Sequence, residues 1–93
     1  MIVGVLKIEL YIPGCRSLKA KRSVVKSLKD RLKNGFNISV AEIDFADKWQ
    51  RTLLGVAAVS NERKHAESIL SKVFKKISEE HRVEIIRTSF KYI

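Results

Sequence analysis

Lys19, Arg22, Lys26, Lys29 and Lys33 follow one another at spacings of three and four residues. On a helix that spacing forms one continuous cationic line. A line of lysines and arginines does no bond-making chemistry by itself. It contacts phosphates, gains affinity as counterions are released, and reads sequence poorly. The segment Arg16 to Lys33 also holds Lys21 and Arg31 against a single acid, Asp30, and so carries +7 of the formal +9. Charge concentrated in this way suits an anionic partner, with RNA or a ribosomal particle the leading expectation. Lys21 stands apart from the line, nearer the apolar side of the helix, and is expected to have a local structural partner.

The other chemical signals are weaker. Gly14-Cys15-Arg16-Ser17 precedes a helix start, where free backbone N–H groups favour anions. Acylphosphatases use a similar loop with an arginine and an asparagine. Here Arg16 with Asn37 or Asn61 would have to serve, and the fuller loop pattern is missing, so acyl-phosphate hydrolysis ranks third among the readings. Cys15 is the only cysteine, which rules out an internal disulfide and suits a reducing compartment. His65 and His81 are too far apart along one helix to share a metal. Glu42, Asp44 and Asp47 cluster near a hairpin and are read as ion-pair partners for Arg51 or Lys48. No catalytic residue, metal site or cofactor is expected. Trp49 is read as packing the hairpin, with an exposed indole as the alternative.

These residues must be positioned by a single domain, residues 1–93, with 45% hydrophobic and 31% charged content. From Ile2 to Ile12 the even positions are apolar apart from Gly4, a strand with one buried face. Met1 to Leu6 lacks a basic flank and alternates at once, so it reads as strand rather than leader. With no apolar run long enough to cross a bilayer, the chain is expected in the cytoplasm with no membrane partner. After Pro13-Gly14, Ser17 caps a helix with stripe Val24, Val25, Leu28 and Leu32, closed by a left-handed residue at Asn34-Gly35. Phe36 to Phe45 and Trp49 to Val59 are strands joined at Ala46-Asp47-Lys48. A two-residue Asp47-Lys48 loop would set Asp44 opposite Arg51. Ser60-Asn61 caps a second helix with stripe Ala66, Ile69, Leu70, Val73 and Ile77, ending near His81, and Val83 to Ile93 is a last strand.

The order β-α-β-β-α-β is that of an α+β, ferredoxin-like fold: a four-stranded antiparallel sheet with both helices on one face. The other face is bare. The expected pairing places Val3, Val5, Ile43, Phe45, Leu54 and Val56 there as one apolar patch, with Lys7, Tyr11, Thr52 and Ala58 beside it. Such a patch marks a partner interface, foremost a homodimer, although a one-residue slip would exchange the faces. Base stacking on the strands is not expected, because the third strand has no aromatic residue and the first offers only Tyr11.

Ile12-Pro13-Gly14, Ser17-Leu18-Lys19-Ala20-Lys21-Arg22, Phe36-Asn37-Ile38-Ser39-Val40-Ala41-Glu42 and Trp49-Gln50-Arg51 occur here in one order. With these blocks the chain resembles the small bacterial YlxP-like family, formerly a domain of unknown function, from Ile2 to the last strand. The resemblance implies the ferredoxin-like fold and homo-oligomerisation, and it brings no established activity. Family genes often neighbour those of translation initiation factor two and ribosome-binding factor A, which implies a role near ribosome maturation or translation. Carried over by position, it marks Ser17, Lys19, Lys21, Arg22, Glu42, Trp49, Gln50 and Arg51 as candidate functional residues. Two classes of function stand: an RNA- or ribosome-associated accessory protein acting through the first helix, and a homo-oligomeric interaction module acting through the sheet face.

Overall fold

The computed structural model describes all of residues 1–93. Its elements are β1 (Ile2–Tyr11), α1 (Leu18–Gly35), β2 (Ser39–Asp44), β3 (Arg51–Ser60), α2 (Arg63–Ser78) and β4 (Glu84–Tyr92). The sheet order is β2-β3-β1-β4 with every pairing antiparallel. This is the ferredoxin-like arrangement, and the two helices cover one face. No helix is long and apolar enough to cross a membrane.

Period-two patterning does what it should in β1. Leu6, Ile8, Leu10 and Ile12 are all buried against the helices. On α1 the buried positions are Lys21, Val25, Leu28 and Leu32, an i, i+4, i+7, i+11 ridge. Ala66, Leu70, Val73 and Ile77 form the matching line on α2. Gly4 permits α2 to approach β1 closely, since a Cβ there would sit 2.9 Å from Leu70 Cδ1 and 3.4 Å from Ala66 Cβ.

The caps divide. Ser17 accepts a hydrogen bond from the Ala20 N–H at 3.0 Å, as its position demands. Helix α1 ends without a left-handed residue: Phe36 is extended and its N–H donates to the Leu32 carbonyl. Gly14 is the only glycine with positive φ. Helix α2 begins after Glu62 rather than Asn61, and Ser60 acts one turn early by accepting from the Glu62 N–H.

The β2–β3 connection differs from the expected two-residue loop, and the difference matters. A bulge at Ile43 and a loop from Phe45 to Gln50 pair Glu42 with Leu54 and Asp44 with Leu53. From Glu42 back this is a one-residue shift, since an Asp44–Arg51 pairing would set Glu42 opposite Leu53, and it exchanges the two faces of β3. Thr52, Leu54, Val56 and Ala58 therefore point into the helix-covered core and are buried. Leu54 and Val56 leave the proposed surface patch. Leu53, Gly55, Ala57 and Val59 take the open face instead, and Ile43 lies over Gly55.

Candidate functional site

Helix α1 sorts its bases by their angular position. Lys19, Arg22, Lys26 and Lys33 are exposed, as is Arg16 just before the helix, and Lys29 is half-buried. Arg22, Lys26, Lys29 and Lys33 border a shallow groove toward β2, with Val25 and Glu42 at its side. Asp30 takes Lys26 at 2.8 Å. The hydrogen bond between them lowers the Asp30 pKa and raises that of Lys26. Arg31 turns away from the line to Glu80, 2.8 Å distant. Of the eight bases from Arg16 to Lys33, three are thus in ion pairs and five are free: Arg16, Lys19, Arg22, Lys29 and Lys33.

Lys21 is the buried exception. It sits on the apolar ridge with none of its surface exposed. Its ammonium lies 2.7 Å from Glu42 Oε2 and donates to the Phe45 carbonyl at 2.6 Å. The Thr52 hydroxyl donates to the same carboxylate oxygen at 2.6 Å. A buried ammonium is tolerable only with such partners. The network ties α1 to β2, β3 and the hairpin, which gives Lys21 and Glu42 a structural role.

The same contacts hold Phe45 at φ +63°, a conformation that costs a bulky residue roughly 1 kcal/mol or more. Its N–H donates to Asp44 Oδ1, and its carbonyl accepts from Lys21 and from the Lys48 N–H. Gln50 anchors the far end of the loop. Its side chain donates to the Cys15 carbonyl, and its own carbonyl accepts from the Ile12 N–H. Within the Trp49-Gln50-Arg51 block, Trp49 is 52% exposed, Arg51 is exposed as well, and Gln50 is half-buried.

Arg51 does not meet Asp44. It crosses the open face of the sheet to Glu9, placing Nε at 3.0 Å and Nη2 at 2.5 Å from Oε2. Its guanidinium also stacks on the Phe45 ring, 4.1 Å from the centroid. Glu9 is consequently buried although no helix covers that face. Lys7 and Arg87 flank it, neither with a carboxylate partner. The sequence placed Lys7 on the open face, whereas Glu9 and Arg87 escaped it, although outward-facing charges on two neighbouring strands were a usable signal.

Other candidates are kept apart. Arg16 and Asn37 stand at opposite ends of α1, whose eighteen residues span about 27 Å. Asn61 follows Ser60, which pairs with Ile2 at the far end of β1 from Arg16. Neither asparagine joins the arginine. Cys15 is buried, its Sγ directed at the Ser17 carbonyl. His65 bonds the Ser60 hydroxyl, and His81 lies near Gly14 and Cys15. No group of three or more His, Cys, Asp or Glu side chains converges. A separate cluster joins Arg31, Arg82 and Ser27 around Glu80, whose carboxyl the Arg82 hydrogen bonds hold down to about 2.

Topology and surface together define a ferredoxin-like α+β domain with a cationic helix flank and a bare, partly basic sheet face. A designed protein with a ferredoxin fold, solved by solution NMR, superposes with a TM-score of 0.59 at 14% identity, covering 100% of this chain and 84% of the other. At that identity the likeness concerns the fold alone. Residues 3–90 match the family described as "Protein of unknown function (DUF503)", and the chain belongs to that family. "Uncharacterized protein YlxP" of Bacillus subtilis (strain 168) is 43% identical over 72 residues, which are 77% of this chain and 78% of that protein. The YlxP-like resemblance of the motif blocks and the family match agree.

Proposed function

We propose that this chain is a cytoplasmic, non-enzymatic accessory protein that binds RNA, foremost a ribosomal particle, through the exposed flank of α1. The observation that carries the reading is the set of five unpaired cations on and just before one helix, at Arg16, Lys19, Arg22, Lys29 and Lys33. Acids elsewhere in the chain, Glu42 and Glu80, neutralise only the two bases that leave the flank. Phosphates of an RNA backbone supply the missing counter-charge. If all five contribute, log affinity falls with log salt at a slope of about −4.

The deciding experiment replaces Lys19, Lys29 and Lys33 with glutamate together. Lys19 and Lys33 are exposed, Lys29 is half-buried, and none of the three is in an ion pair, so circular dichroism should show the fold intact. Co-sedimentation with ribosomal particles and binding to structured RNA at physiological salt should disappear. Survival of either at wild-type strength would remove the helix as the site.

Homodimerisation through the sheet face is the second reading. Ile43, Val59 and Ile86 support it, each about half exposed or more. Against it, Lys7, Arg87 and Lys91 lie among them without carboxylate partners, and a second copy would bring the same charges. A light-scattering mass of one chain at micromolar concentration removes this reading.

A further inference from the structure

The strands bring only Tyr11, at the end of β1, to the open sheet face, but the β2–β3 hairpin adds Phe45 and Trp49. Phe45 arrives through its positive φ and the stacking of Arg51 on one side of its ring. Beside it is a hollow of about 250 Å³ lined by Lys7, Glu9, Phe45, Leu53, Arg87 and Ser89. Glu9 Oε2 takes both hydrogen bonds from Arg51, whereas Oε1 accepts none within the protein. Oε1 is therefore a free acceptor on a side chain only 9% exposed. On the other side of Arg51, Trp49 and Tyr11 line a second, shallower hollow with Lys48 and Ile86.

The chemistry of this surface is specific in kind. An aromatic wall favours a flat ring, a lone carboxylate oxygen demands an N–H donor, and flanking cations without acids demand phosphate. One ligand class carries all three. Resting on the RNA-binding reading above, we infer that the hollow at Glu9 receives an unpaired RNA base bearing an amino group. Phe45 packs on the base, Glu9 Oε1 accepts from its amino group, Lys7 and Arg87 meet the adjoining phosphates, and Trp49 stacks the neighbouring base. Adenine and cytosine satisfy Oε1. Uracil does so poorly, because its one N–H lies between two carbonyl oxygens that face the carboxylate.

Helix and sheet face lie on opposite sides of the domain, but the hairpin bridges them. Lys21 holds the Phe45 carbonyl, and Gln50 holds the connector that leads into α1. A strand leaving Lys19 and Arg22 meets Lys48 and Trp49 at that end of the molecule. The helix thus supplies charge-dependent affinity and the sheet face supplies preference among bases.

The test measures fluorescence anisotropy with adenosine, cytidine and uridine homopolymers of about ten nucleotides, and amide shifts on titration with AMP. The protein is compared with Lys7→Ala/Arg87→Ala, Trp49→Ala, Glu9→Gln and the α1 triple reversal, after circular dichroism has shown each folded. Lys7→Ala/Arg87→Ala and Trp49→Ala should each weaken the adenosine oligomer by roughly five- to hundredfold. Glu9→Gln should abolish the preference over uridine. The first two variants alter exposed or rim residues, so the test survives if Glu9→Gln fails to fold. AMP should shift the amides of Lys7, Leu53 and Arg87. If the sheet variants bind as wild type while the α1 reversal abolishes binding, this inference is overturned and the helix reading stands. If the sheet variants lose binding and the reversal keeps it, the inference stands and the helix reading falls. Binding of neither oligomer nor AMP by the wild type overturns the inference outright.

Discussion

Replacing Lys21 with methionine removes the ammonium but keeps an unbranched side chain of similar length on the buried ridge of α1. Two contacts vanish, the 2.7 Å pair with Glu42 and the 2.6 Å bond to the Phe45 carbonyl. Stripping one partner from a buried ion pair costs about 3–5 kcal/mol. Glu42 retains the Thr52 hydroxyl and 18% side-chain exposure, which sets the expected loss near the lower end, about 3 kcal/mol. In a domain of this size that lowers Tm by roughly 15 °C. Glu42→Gln keeps the Thr52 bond but leaves the fully buried Lys21 ammonium without a counter-charge, for a loss at least as large, about 3–5 kcal/mol. The double variant buries no unpaired charge and should lose far less than the two losses combined. Urea unfolding of all four proteins measures the cycle. A loss below about 1 kcal/mol for Lys21→Met, or simple additivity in the cycle, would refute the reasoning that this network is a coupled buried unit.

Two further outcomes follow from buried groups outside the proposed interface. The Glu80 carboxyl has a folded pKa of about 2 against an ordinary 4.5, so its contribution is complete above the ordinary value and is lost as pH falls toward 2. It amounts to about 2 kcal/mol once solvent screening at the half-exposed guanidinium groups of Arg31 and Arg82 is allowed for. The wild type should therefore lose stability across that window more steeply than Glu80→Gln in acid titrations followed by denaturant unfolding, and parallel curves would contradict it. Cys15 is buried beneath the start of α1, so its reaction with a disulfide reagent should track opening of the fold and quicken sharply in denaturant. Reaction at the rate of a free thiol in native buffer would show that the connector is open.

Element type and order were legible because the signals are local. The alternation from Ile2 to Ile12 is a strand pattern wherever it occurs, and Val25, Leu28 and Leu32 recur at helical spacing. Ser17 was recognisable as a cap because its hydroxyl meets an N–H three residues away. The right-handed βαβ rule then left one economical arrangement of sheet and helices. Lys21 was separable from the basic line by its angle on the wheel, although its partners were not nameable.

The faces of β3 were not legible, since they turn on a single residue of register. The bulge at Ile43 and the long hairpin decide it, exchanging Leu54 and Val56 for Leu53 and Val59 at the surface. The charge balance of α1 had the same difficulty. Glu42 and Glu80 lie 21 and 49 residues from the bases they neutralise, and no local pattern pairs residues across that distance. The chain by itself therefore determined a ferredoxin-like domain with a concentrated positive charge, through periodicities and caps that act within a few residues. Tertiary structure alone decided which cations remain free, which face of β3 meets the core, and that Phe45, Arg51 and Glu9 assemble on the open sheet. Ion pairing and strand register are contacts between segments, and they exist only once the segments have packed.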